Sequence, residues 1–176
     1  MHVSTGVIRL SRLVVLVGLT ACVTSSAPEF TAAHRAAIVD SVQAMLAEWR
    51  TALNAKDFAK AATFYSTDSA FRWYEDGAPT FHSARAIRDT MLAMRPGLRD
   101  FNLTLTDPEI TALGPGAAIV TSEFTEKLTD TTGKVVGFAA ALSVAVVHDS
   151  AGWRLLVGHN SSLRPPPDTG AKKKRE

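Results

Sequence analysis

Residues 49–65 read Trp-Arg-Thr-Ala-Leu-Asn-Ala-Lys-Asp-Phe-Ala-Lys-Ala-Ala-Thr-Phe-Tyr. Working backwards from this stretch, Ile38, Val42, Met45, Leu46, Trp49 and Leu53 recur at the spacing that lines one face of a long amphipathic helix, with Thr31 as its N-cap. Asn54-Ala55-Lys56 interrupts that stripe. Asp57 then caps a second, shorter helix, whose inner face is Phe58, Ala61, Ala62 and Tyr65.

Working forwards, Phe71 and Trp73 alternate with Arg72 and Tyr74, which predicts a strand closed by the turn Glu75-Asp76-Gly77. A third helix is expected from a cap at Ser83 through Ile87, Met91 and Met94 to the stop at Pro96-Gly97. The second half changes character. Residues 101–106, 117–128, 135–148 and 153–162 are strand-like, and the Gly, Asp, Thr and Ser-rich turns between them suit antiparallel neighbours. Helices first and a meander afterwards predict an α+β fold, with three N-terminal helices packed on one face of a mostly antiparallel sheet.

The two ends carry different signals. Arg9 and Arg12 precede the apolar run from Leu13 to Leu19 and the small pair Thr20-Ala21, the order of a secretory signal. Counted from Leu13 to Val23 the run has 11 residues, against roughly 20 for a helix that crosses a bilayer. Cys22, the only cysteine of the chain, follows at once. Leu19-Thr20-Ala21-Cys22 resembles the bacterial lipobox, and the resemblance implies a diacylglycerol on Cys22 and cleavage before it. That makes residues 1–21 a lipoprotein signal peptide, Cys22 an anchor in the membrane, and residues 22–30, small and polar, a flexible tether. Val23 stands where a protein retained at the inner membrane would more often carry Asp, so the expected location is the outer membrane facing the periplasm, if the cell has one. Residues 164–176 open on three prolines and end in a basic run with nothing to bury, which predicts a disordered tail.

One domain, residues 31–163, remains. The formal charge of +2 includes Arg9 and Arg12, which leave with the signal, so the mature chain is balanced and nucleic acid is not an expected partner. With Cys22 acylated no thiol is left for a disulfide or a metal. His34, His82, His148 and His159 fall on separate elements, and Gly114-Pro115-Gly116 precedes a strand where a phosphate loop needs a helix. Neither a metal nor a cofactor is expected.

The long helix with Trp49, the Asn-Ala-Lys-Asp break, the short helix ending near Tyr65, and then Asp68, Phe71, Gly77 and Ile87 together resemble the nuclear-transport-factor-two-like superfamily. Trp153-Arg154-Leu155-Leu156-Val157-Gly158-His159-Asn160-Ser161 is similar to the closing strand of its SnoaL-like and calcium/calmodulin-kinase association-domain branches. The resemblance covers about residues 31–163. It implies a cone, an α+β barrel of three helices wrapped by a strongly curved sheet, often with a pocket inside and often dimeric.

Enzymes of that superfamily place a carboxylate or histidine with a hydrogen-bond donor in an apolar cavity. Here residues 69–74 and 137–147 hold no Asp or Glu, and Trp49 stands where an isomerase would place a phenol. Strand parity groups His159 with Trp153, Leu155, Val157 and Ser161 on the more apolar side. His159 is then either a base or ligand contact at a pocket mouth, or a core histidine bonded to backbone or to Ser161. Tyr65 is either a pocket donor or a core aromatic. Glu123 should point outward, and Glu75, Asp76 and His82 should be solvated.

These residues predict a lipid-anchored envelope domain whose pocket, lined by Trp49, Tyr65, Phe71, Trp73, Phe138 and His159, binds a small apolar ligand or serves as a scaffold without catalysis. The alternatives are a cyclase, isomerase or dehydratase using His159 with Tyr65 as donor, and a dimerisation module of an envelope complex. A homodimer is expected from the 138–147 strand. One side carries Phe138, Leu142, Val144 and Val146, and the other carries Ala139, Ala141, Ser143, Ala145 and Val147, with no charge on either.

Overall fold

Thr31 opens the first helix by accepting a hydrogen bond from the His34 N–H, and α1 (Ala32–Asn54) follows, burying Val42, Met45, Leu46, Trp49, Ala52 and Leu53. The computed structural model describes residues 29–162. The signal peptide, Cys22, most of the tether and the tail lie outside the described residues. No described helix is long and apolar enough to cross a membrane.

The break at 54–57 has a mechanical basis. Lys56 adopts a positive φ of 55°, and Asp57 accepts from the Lys60 N–H to start α2 (Phe58–Ala62). The chain then leaves α2 beside the sheet, where the Ser66 N–H donates to Leu155 O and the Leu155 N–H donates to Phe64 O. A hairpin comes next, β1 (Arg72–Glu75) and β2 (Ala78–Phe81). The sequence showed only the first of these strands. Asp76 and Gly77, at φ 50° and 84°, have the paired positive φ of the tight turn that matches strand twist. The third helix, α3 (Ala84–Met94), capped by Ser83, follows this hairpin, so only two helices precede the first strand.

Four long strands complete the chain: β3 (Leu98–Gly114), β4 (Ala117–Asp130), β5 (Val135–Asp149) and β6 (Gly152–Ser162). The sheet order is β2-β1-β6-β5-β4-β3. All neighbours are antiparallel except β1 and β6, which run parallel. The sheet is curved and mixed, but it does not close on itself as a barrel, since β2 and β3 remain as edges.

β3 runs well beyond the expected end at residue 106. Asp107 takes a φ of 45° and the pairing with β4 slips between Thr106 and Glu109, so Pro108 sits in a bulge instead of breaking the strand. Inside the curve, α1 packs on β3 and α2 packs on both α1 and α3. Phe58, Phe71, Leu155, Val120, Val144 and Val146 are essentially inaccessible and form the floor of the fold.

Candidate functional site

Between the helices and the concave face of the sheet lies a cavity of about 270 Å³. Most elements supply part of its wall: Trp49 and Leu53 from α1, Ile87, Met91 and Met94 from α3, and Phe101 and Leu103 from β3. Trp73 and Glu75 come from β1, Phe124 and Glu126 from β4, Leu142 from β5 and Asn160 from β6. Tyr65 reaches in from the segment after α2 and stands edge-on to Trp49, Phe71 and Trp73, with ring centroids 6.3, 6.1 and 5.5 Å apart. The rest of the wall is apolar apart from Thr90, and no lysine, arginine or histidine among the described residues belongs to it.

Glu126 is the unexpected member. Along β4 the buried positions Ala118, Val120, Ser122 and Phe124 share a face, and Glu126 continues it. Burial, together with the negative charge of Glu75, pushes its carboxyl up to about 7. Glu75 reaches the same space because β1 alternates: Trp73 is inward, so Glu75 is too, half-buried and in register with Asn160 of β6. Glu123 is exposed, as its strand parity predicts, whereas Glu75, expected in solvent, lines the cavity. Parity carried from Phe124 to Glu126 and from Trp73 to Glu75 is the signal that would have found both.

Two donors accompany the carboxylates. Burial raises the Tyr65 phenol well above its ordinary range, so it stays protonated. The Trp49 indole, close to the phenol, acts against that rise, but its Nε1–H has no partner of hydrogen-bond geometry. Trp49 is only 5% exposed and its Nε1 is closed off, so this is a buried donor that lies behind the cavity wall, beside the phenol.

The expected residues divide. Trp49, Tyr65 and Trp73 line the cavity. Phe71 is inaccessible and lies behind Tyr65 as core. Phe138 pairs with Glu126 across the β4–β5 ladder and packs on Phe124 at 5.9 Å, yet it is 40% exposed and lies beyond the cavity wall.

His159 is a correction. Ala145 pairs with Val157 but Val146 pairs with Leu155, so β6 carries one extra residue, Leu156, and the parity of the strand reverses there. Trp153 and Leu155 face in before the bulge, and Gly158 and Asn160 face in after it. His159 is exposed on the outer side, with Nε2 3.5 Å from Ser161 Oγ. Gly158 is required where it stands. A Cβ there would lie 2.1 Å from the Trp73 ring, so its absence lets the indole lie against β6 and form one side of the cavity. Among the described residues, no group of three or more His, Cys, Asp or Glu could hold a metal ion.

A curved, open six-stranded sheet wrapped around helices, with an acidic and aromatic cavity on its concave face, defines a nuclear-transport-factor-2-like fold. Residues 42–165 match the SnoaL-like domain, and the chain belongs to that family. Solved structures of this fold are similar at low identity. A provisionally assigned scytalone dehydratase from Novosphingobium aromaticivorans matches with a TM-score of 0.68 and 12% identity, over 76% of this chain and 89% of that one. A nuclear transport factor 2-like superfamily protein from Salmonella enterica matches with a TM-score of 0.65 and 12% identity, over 77% and 98%. A ketosteroid isomerase-like protein from Erwinia carotovora matches with a TM-score of 0.57 and 19% identity, over 72% and 96%. At these identities the likeness is one of fold. No curated protein matches the chain.

Proposed function

We propose that the domain is an acid–base enzyme that moves a proton on a small, largely apolar carbonyl compound held in the cavity. The observation that carries this reading is Glu126, a carboxyl brought to about 7 on the wall of a largely apolar cavity that the protonated Tyr65 phenol also lines. A carboxyl that titrates near neutrality is both a competent base and, once protonated, a competent acid. In this reading Glu126 takes a proton from the carbon next to the carbonyl. The Tyr65 O–H, with the Trp49 indole behind it, holds the charge that develops on oxygen, and Glu126 returns the proton at a second position or to a departing hydroxyl. Tyr65 thus takes the donor role expected for it, whereas Glu126 replaces His159 as the base. This moves the enzyme alternative ahead of binding without catalysis.

The same proposal keeps the domain tethered to the cell envelope through an acylated Cys22, facing the periplasm. Cys22→Ser should then abolish labelling by a fatty-acid analogue. Labelling that persists in the variant rules the tether out.

The catalytic reading is tested by proton NMR in heavy water, following exchange of the α-protons of a panel of small cyclic ketones. The wild-type chain should accelerate exchange, and Glu126→Gln should reduce the acceleration by about 10²-fold or more, the usual scale for a general base. Exchange no faster than in buffer, or unchanged in the variant, contradicts the proposal.

A further inference from the structure

The charge balance of the cavity is one-sided. Glu75 and Glu126 both line it, no cationic side chain does, and neither carboxyl takes part in a salt bridge or hydrogen bond among the described residues. The only other charges acting on Glu126 would have to come from the titratable groups facing it, and those are Glu75 on β1 and the neutral Tyr65 phenol. Around the carboxylates stand the rings of Trp49, Tyr65, Trp73, Phe81, Phe101 and Phe124. Aromatic faces attract cations, most strongly where water is excluded. An anion entering this space would meet two like charges and no donor cation. A wholly neutral hydrocarbon would leave a carboxyl and the Tyr65 O–H unmatched.

From this composition we infer that the natural ligand is a small organic cation, a protonated or quaternary amine, that carries one hydrogen-bond acceptor. Its positive group sits between Glu75, Glu126 and the aromatic walls, and its acceptor takes the Tyr65 O–H. This rests on the reading of the cavity as the active site and adds the class of substrate to it. It is compatible with proton transfer, because a positive nitrogen near the reacting carbon makes that carbon more acidic. It also assigns Glu75, which the proton-transfer step leaves without a role, to holding charge.

Binding should depend on pH in a defined direction. The ionised form of Glu126 is the one that attracts the cation, and burial and Glu75 hold that carboxyl at about 7. Affinity for a permanent cation therefore rises by about tenfold between about pH 6 and about pH 8, since only the ionised fraction binds. Affinity for an uncharged ligand of the same shape has no such rise.

The test uses choline and its uncharged carbon isostere, dimethylbutanol, titrated into the full chain and followed by NMR. Both carry one hydroxyl, so they differ only in charge. Choline should bind about tenfold more tightly at about pH 8, the scale expected for desolvated cation–π and carboxylate contacts. Glu75→Gln and Glu126→Gln should each remove most of that preference while leaving dimethylbutanol binding intact, which also shows that the variants are folded. Equal or tighter binding of dimethylbutanol, choline binding indifferent to both variants, or binding of neither probe overturns the inference. The two readings fail separately. Ketone proton exchange without choline preference removes the cationic ligand and keeps the enzyme, whereas choline preference without exchange keeps the ligand and removes the enzyme.

Discussion

At the scale of single residues the site turns on Glu126. Its folded-state carboxyl is held at about 7, against an ordinary value of 4.5. A raised acid binds more protons in the folded chain than in the unfolded one, so stability is highest below the unfolded value and falls as pH rises from about 4.5 through about 7. Above that range the loss is complete. Glu126→Gln removes the penalty and should stabilise the domain at about pH 8 by up to about 3 kcal/mol, while leaving it nearly unchanged at about pH 4. Urea unfolding of the two proteins at both values measures this. A variant that is less stable at the higher pH would mean that the carboxylate has a favourable partner. Residue-level parity was legible for Trp73 and Phe124, which are large and apolar and anchor the inward face. It was not followed to Glu75 and Glu126, because a charged residue at a strand end is ordinarily solvated. Only the cavity, formed by helices distant in sequence, makes those two positions interior.

At the scale of elements, α1 and β3 depend on one another through a polar clamp. β3 is an edge strand. On its open side Leu103 would leave an N–H and a carbonyl unpaired, and the Asn54 side chain meets both. Asn54 Oδ1 accepts from the Leu103 N–H at 2.7 Å, and Asn54 Nδ2 donates to Leu103 O at 3.1 Å. Lys56 adds bonds from its ammonium to the carbonyls of Leu98 and Arg99. The edge is thereby covered by the end of a helix and closed to another strand. Asn54→Ala removes both bonds and leaves the Leu103 groups unpaired, which should cost about 2 kcal/mol in thermal or chemical unfolding. Asn54→Asp keeps the acceptor and should recover part of it. A neutral Asn54→Ala would show that water replaces the clamp. The Asn-Ala-Lys-Asp break that marks the fold in the sequence is therefore this clamp, and the boundaries of α1 and α2 were readable because their caps are local chemistry. The bulges were not readable. The extra residues at 107–108 and at 156 are set by pairing with strands far along the chain, and the second of them moves His159 from the expected inner face to the outer one.

At the scale of the whole molecule, no helix among the described residues covers the outer face of the sheet. Ala141, Ser143 and Ala145 of β5 share it with Ile119, Thr121 and Glu123 of β4 and with Val157, His159 and Ser161 of β6. Ile119 and Val157 are 38% and 36% exposed there. The strip from Ser143 and Ala145 to Ile119 and Val157 is small and apolar, with Glu123 at its border, and such a strip can pack on its own copy about a two-fold axis. We propose a homodimer through this surface. Light scattering of the Cys22→Ser chain should give twice the chain mass, and Ala141→Arg should return it to that of one chain. A wild-type chain that is already monomeric at high micromolar concentration contradicts the dimer. This face was legible because β5 alternates without charge on either side, whereas the cavity on the opposite face depends on which helices cover it. The concave cavity and its chemistry stand or fall with a carboxyl poised near neutrality. The pH titration of the glutamate side-chain carboxyl carbons by NMR reads it, with Glu126→Gln used to identify the resonance. That resonance should titrate with its midpoint at about 7, and a midpoint near the ordinary 4.5 would overturn the reading of the cavity.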